Sequence, residues 1–141
     1  MKDVKTILRT AYYSLLNGNI TAGAYTVKVS ETIALVNDSN AIYILLNSEN
    51  GKSSNTQQSW MMEEQMRVDI IGRGSRFSQA VIDGIASQIL QLVLPTPQTN
   101  GLGNSQIINC RVVDDRYLPF KSDGAVNVQR RMITFSQLIA Q

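Results

Sequence analysis

The chain has 141 residues, enough for one domain that buries a sizeable core without a disulfide or metal staple. Its 13 Lys and Arg against 11 Asp and Glu leave an excess of only +2, too small to read as a dedicated nucleic-acid-binding domain. Histidine is absent and Cys110 is the one cysteine, which excludes Ser-His-Asp and Cys-His nucleophile pairs, an internal disulfide and a CxxC metal site.

The segment Met1–Lys5 leads into a helix with charges spread through it, unlike a signal peptide. No apolar run approaches the ~20 residues that span a bilayer, so no membrane partner is expected. Composition favours a cytoplasmic structural or binding protein over an enzyme. Cys110, inside the apolar-leaning run 107–113, reads as a buried strand thiol rather than a reactive one.

From Asp3 to Asn17, Val4, Ile7, Leu8, Ala11, Leu15 and Leu16 recur at three- and four-residue steps and predict a helix with one apolar stripe. Asp3 is placed to cap its first turn, and Gly18 to end it in the left-handed conformation. Tyr12 and Tyr13 flank the stripe, so at least one is expected to reach solvent or a partner.

Strand candidates follow at Tyr25–Val29, which alternates weakly, and at Asn40–Ser48, with the β-rich core Ala41–Leu46. Residues 36–40 between them have turn chemistry. Ser48–Ser59 contains no large apolar residue and is expected to be a long exposed loop. Trp60–Gly72 reads as a strand, with Met66, Val68 and Ile70 on one face and Gln65, Arg67 and Asp69 on the other. The two strands beside the polar segment form an antiparallel hairpin with an extended tip.

A second helix is expected from about Phe77 to Leu94, with a stripe of Ile82, Ile85, Ile89, Leu92 and Val93 widened by Val81, and Ser75 or Ser78 as cap. Burying six such side chains contributes on the order of 10 kcal/mol before entropy is subtracted. Pro95 and Pro97 stop the helix, and Pro95–Ser105 reads as a flexible connection. Two strands close the pattern, Gln106–Asp114 and Val126–Ala140, joined by Asp115–Ala125. The last places Ile133, Phe135 and Ile139 on one face and Val128, Met132 and Leu138 on the other, as if both faces were covered. The expected fold is α+β: one domain over 1–141, a single four- to five-stranded, mostly antiparallel sheet, two helices packed on one face, and a long exposed hairpin loop.

Candidate chemistry is sparse. Glu63-Glu64 and Asp114-Asp115 are adjacent strand residues that point to opposite faces, so neither pair chelates alone, and solvated strand-end charge is the plain reading. Gly72-Arg73-Gly74-Ser75-Arg76 precedes a helix as phosphate cradles do, but Phe77 stands where the third glycine of GxGxxG belongs. Arg130 and Arg131 must face opposite sides of a strand and form no patch by themselves; Arg111 and Arg116 are the other basic positions. Trp60-Met61-Met62 is either a core anchor or a knob for a partner surface. No catalytic, cofactor-binding or metal-binding residue is assigned.

The order and spacing of these elements resemble the tail terminator, or tail completion, proteins of long-tailed bacteriophages. The residues that carry the resemblance are the helix ending Leu15-Leu16-Asn17-Gly18-Asn19, the strand Ala41–Leu46 and the strand Glu64–Ile71 with its turn bearing Arg73 and Arg76. The helix start Ser78–Ala86 and the strand Arg131–Phe135 complete it. Nothing carries over to residues 48–59 or Pro95–Ser105.

The resemblance implies a virion neck protein with no enzymatic activity, assembled in the host cytoplasm into a ring, commonly of six copies. Such a ring caps the head-proximal end of the tail tube, ends tube polymerisation and docks the head-completion or connector protein. Genomic DNA passes through its lumen without sequence-specific contact. Trp60, Met62, Arg73, Arg76, Tyr117 and Phe120, at exposure-prone element ends, are the expected contact residues. The alternatives are another neck component (a head-completion stopper or connector ring) and a small cytoplasmic ligand-binding domain.

Overall fold

The computed structural model describes residues 4–23, 25–30, 41–56, 59–73, 78–96, 98–123 and 126–140. Helix α1 (Val4–Leu16) buries Leu8, Tyr12 and Leu16, which stand one above another at four-residue steps. Tyr12 is therefore the inward tyrosine and Tyr13 the exposed one. Gly18, at φ 79°, takes the left-handed conformation beyond the helix, and the Asn19 side chain donates to the Leu15 carbonyl at 2.8 Å. Asp3 lies outside the described residues.

Helix α2 (Gln79–Val93) buries Ile82, Ile85, Ala86, Ile89 and Val93, while Val81 and Leu92 are only partly buried. Ser78 is its N-cap residue; its carbonyl accepts from the amides of Val81 and Ile82, while its side chain makes no capping bond. Ser75 and Phe77 lie outside the described residues.

Strands β1 (Thr21–Ala22) and β2 (Tyr25–Thr26) form a small antiparallel ribbon beside α2, so the expected strand at 25–29 is split. The main sheet has five strands in the order β3-β4-β5-β7-β6: β3 (Lys28–Ser30), β4 (Ala41–Thr56), β5 (Ser59–Arg73), β6 (Ile107–Asp123) and β7 (Val126–Ala140). Only β3 and β4 run parallel, so the sheet is mixed and mostly antiparallel. The expected turn at 36–40 lies outside the described residues.

Three expectations about loops fail, each for a physical reason. Most of the segment expected as a long loop is strand: β4 runs on to Thr56 and β5 begins at Ser59, the two pairing from Ala41↔Arg73 to Thr56↔Ser59 with one register shift between Glu49 and Lys52. A ladder is held by backbone N–H and C=O groups that every non-proline residue carries, so lack of apolar side chains removes packing but not pairing. Residues 115–123 likewise continue β6, with Asp115, Arg116, Tyr117 and Leu118 paired to Ile133, Met132, Arg131 and Arg130. Three register shifts along β6 scramble the alternation by which its sequence would be recognised.

The connection after α2 is pinned rather than flexible. The Gly101 amide donates to the Val93 carbonyl at 2.8 Å, Thr96 and Thr99 hydroxyls meet at 2.6 Å, and Leu102 is buried in the core.

All described elements outside the sheet lie on one of its faces. There Ile42, Ile44, Leu46, Met66, Val68, Ile70, Ile133, Phe135 and Ile139 join the helix stripes in one core. The other face holds a small cluster of Tyr43, Leu45 and Ile71 with Val128, and none of the described elements lies over it. On the side of β7 away from the helices Met132, Thr134 and Ser136 are nevertheless buried and Val128 and Leu138 half-buried, so burial on both faces of β7 is found, the second without a described element over it.

Candidate interaction surfaces

Adjacent strand residues point apart, and the arginine pair in β7 shows what this does. Arg131 turns to the helix face, where its guanidinium donates to both Asp115 carboxylate oxygens at 2.9 and 2.7 Å and to Asp83 of α2 at 2.9 Å. It also lies 5.1 Å over the Tyr117 ring, while the Tyr117 hydroxyl donates to Asp83. Hydrogen bonding to Asp115 raises the already high pKa of Arg131, partial burial opposes this, and the charges of Asp115 and Asp83 reinforce it. This group ties α2 to β6 and β7.

Arg130 turns to the open face. There it lies 3.6 Å from Asp69, which Arg67 approaches at 3.5 Å and the Asn47 amide at 3.4 Å. The Asp69 side chain is only 2% exposed, so one sunken carboxylate is shared by two guanidiniums. Nearer β6, Glu63 accepts from Ser136 at 2.8 Å and faces Arg111 at 3.7 Å, and Asp114 faces Arg116 at 3.4 Å. A groove of about 410 Å³ crosses this face between Tyr43, Arg67, Asp69, Arg73 and Arg130.

The carboxylate pairs are thus mid-strand rather than strand-end charge. Glu64 is buried on the helix face, and Asp115 is engaged by Arg131. Neither pair converges. Among the described residues no group of three or more Cys, Asp or Glu is arranged to hold a metal ion.

A polar thread runs through the core. The Tyr12 hydroxyl donates to Gln137 Oε1 at 2.7 Å, the Gln137 amide donates to the Glu64 carbonyl at 2.6 Å, and Cys110 Sγ lies 3.7 Å from both the Tyr12 oxygen and Gln137 Oε1. Cys110 is half-buried, in partial agreement with the buried-thiol expectation, beside Asn109 at φ 53° where β6 shifts register. Burial raises the Tyr12 phenol well above its ordinary 10.0, with the nearby Cys110 adding to the shift. Burial also raises the Cys110 thiol above 9.0, against the lowering effect of its hydrogen bond with Tyr12.

Both groups hold their protons more tightly folded than unfolded, so the unfolded chain releases them first and stability falls as pH rises past these ordinary values. Urea unfolding is expected to give constant stability to about pH 8 and a decline above it, with a shallower decline in Tyr12→Phe. An unchanged alkaline slope in that variant would remove Tyr12 as a cause.

Of the six expected contact residues, Tyr117 and Arg73 have described side chains, and these lie on opposite faces of the sheet. Tyr117 is 49% exposed, with its hydroxyl committed to Asp83. Arg73 ends β5, half-buried on the rim of the open-face groove. Trp60 and Met62 have backbone positions opposite Asn55 and Ser53, and Phe120 lies in β6, but the side chains of all three are outside the description. Arg76 lies outside the described residues. What the sequence reading missed is the company Arg67 and Asp69 keep: their shared face was readable from alternation, whereas Arg130, Arg111 and Arg116 join it only through cross-strand register.

No helix among the described residues is long and apolar enough to cross a membrane. No family model and no curated protein matches the chain. Among solved structures, a chain from the virion of a native gene transfer agent particle has a similar fold, with a TM-score of 0.64 at 14% identity over 100% of this chain and 100% of that one.

Proposed function

We propose that the chain is a structural subunit of a phage-like virion and, more narrowly, a tail terminator. In this reading identical copies close into a ring, commonly of six, at the head-proximal end of the tail tube. The ring halts tube growth, offers its far side to the head-completion or connector protein, and lets genomic DNA pass. It is assembled in the host cytoplasm, ends up in the virion neck, and does no chemistry.

The observation that supports the reading is the end-to-end correspondence of fold with a chain of the gene transfer agent virion. The sheet has different strands at its two edges, β3 and β6. A joint between β3 of one copy and β6 of the next would be heterologous, which closes a ring when the rotation per copy allows. Trp60, Met62, Arg73, Arg76, Tyr117 and Phe120 remain the proposed contact residues.

Native mass measurement should give a closed oligomer, and adding it to growing tail tubes should fix their length. A protein that stays monomeric at high concentration and leaves tube length unchanged would sink the terminator reading. Binding to portal or connector protein but not to tube ends would replace it with another neck component.

A further inference from the structure

The small net charge of the chain hides an unequal division between the two sides of its sheet. At the centre of the open face, Arg67 and Arg130 both approach the carboxylate of Asp69. Toward β6, Arg111 faces Glu63 and Arg116 faces Asp114, the two arginine side chains being 70% and 60% exposed. Lys28 of β3 and Arg73 of β5 belong to the same face, by their register with Tyr43 and Val128. Among the described side chains, six cationic ones therefore stand on this surface with three acidic ones.

Beneath them Tyr43, Leu45 and Ile71 are nearly buried, although none of the described elements covers this side. The aliphatic stems of long basic residues can screen such a cluster while their heads stay in water.

We propose that this open face is a polyanion-contacting surface, and that the polyanion is the phosphate backbone of duplex DNA. The choice of DNA rests on the head–tail reading above, whereas the cationic surface does not. Planar guanidiniums match phosphate oxygens two at a time, and each phosphate contact releases condensed counterions. The face shows no exposed large apolar residue at its centre, whereas the cores of protein–protein interfaces are depleted of charge and enriched in aromatics. Among its described side chains there is also no exposed aromatic of the kind that grips unpaired bases, Tyr43 being buried, which suits a duplex read only by its backbone. In a ring, this side of each sheet would be turned toward the passing genome.

The test measures binding of the purified, assembled protein to a short mixed-sequence DNA duplex by fluorescence anisotropy, from about 50 to about 200 mM salt. The logarithm of the association constant should fall linearly with that of salt, by about 0.9 per neutralised phosphate. Arg67→Gln with Arg130→Gln should reduce the slope by about two and weaken binding roughly tenfold at the lowest salt. Because that pair flanks a sunken carboxylate, Arg111→Gln with Arg116→Gln, both well exposed, serves as a second variant that spares the fold and should reduce the slope similarly. Lys5→Gln on α1, across the sheet, should leave the slope unchanged.

Absence of binding by the parent protein, or an unchanged slope in both arginine variants, overturns the proposal. So does dissociation of the oligomer in the Arg111 and Arg116 variant, which would make the face a contact between copies. A parent protein that proves monomeric yet shows the slope changes supports the surface while removing the ring.

Discussion

Truncating Phe135 to alanine is expected to cost about 3–5 kcal/mol of folding stability, the largest loss of any single side chain in the sheet. Phe135 is fully buried in β7, a strand paired on both sides, where it stands opposite Met66 of β5 and Val112 of β6. Its ring packs against Tyr12 of α1 with centroids 5.8 Å apart and planes inclined at 43°. Removing it leaves a cavity between helix and sheet that strands paired on both sides cannot collapse to fill. The same void removes the apolar wall beside the Tyr12–Gln137 hydrogen bond. Urea unfolding at fixed protein concentration should show a lower midpoint with unchanged slope, and the thermal midpoint should fall by roughly ten degrees or more. A loss below about 1 kcal/mol would mean that α1 does not seat on the sheet as described.

Of Gly18, Gly23, Gly84, Gly101 and Gly103, Gly101 should tolerate alanine least, at a cost of about 3 kcal/mol. The reason is space. A Cβ at this position would overlap the carbonyl oxygen of Leu92, a backbone atom in the last turn of α2 that cannot rotate away. The loop approaches this closely because the Gly101 amide donates to the neighbouring Val93 carbonyl and holds the following Leu102 in the core. Gly103 is the control: it has φ 69° and open space around it, so alanine there pays only the left-handed backbone cost of about 1–2 kcal/mol. Thermal denaturation of the two variants should place Gly101→Ala lower, and the reverse order would remove the close approach as the cause.

The parts of the fold legible from sequence were those in which one residue period controls burial. The α1 and α2 stripes, the two faces of β5 from Gln65 to Ile70, and the opposed sides of β7 all follow from spacing and are found in place. The outer half of β4 was not legible, because residues 48–56 carry no apolar pattern to mark the strand. Nor was β6 beyond Asp114, where register shifts break the alternation. The burial of Glu64 was missed for a similar reason: a carboxylate in the core needs the surroundings of β7, which local sequence does not reveal. The sorting of arginines by face is the clearest case. Arg130 and Arg131 were separable by parity, but their partners, Asp69 from β5 and Asp83 from α2, lie some 60 and 50 positions away.

The place of β7 has a kinetic consequence. It is threaded between β5 and β6, so the β4–β5 hairpin cannot be joined to the remaining strand until residues 126–140 have left the ribosome. Before that moment the long flank of β5 is an unsatisfied row of amides and carbonyls, open to any stray extended segment. Closure over so many intervening residues is slow, and nascent chains in that window are the ones most exposed to aggregation.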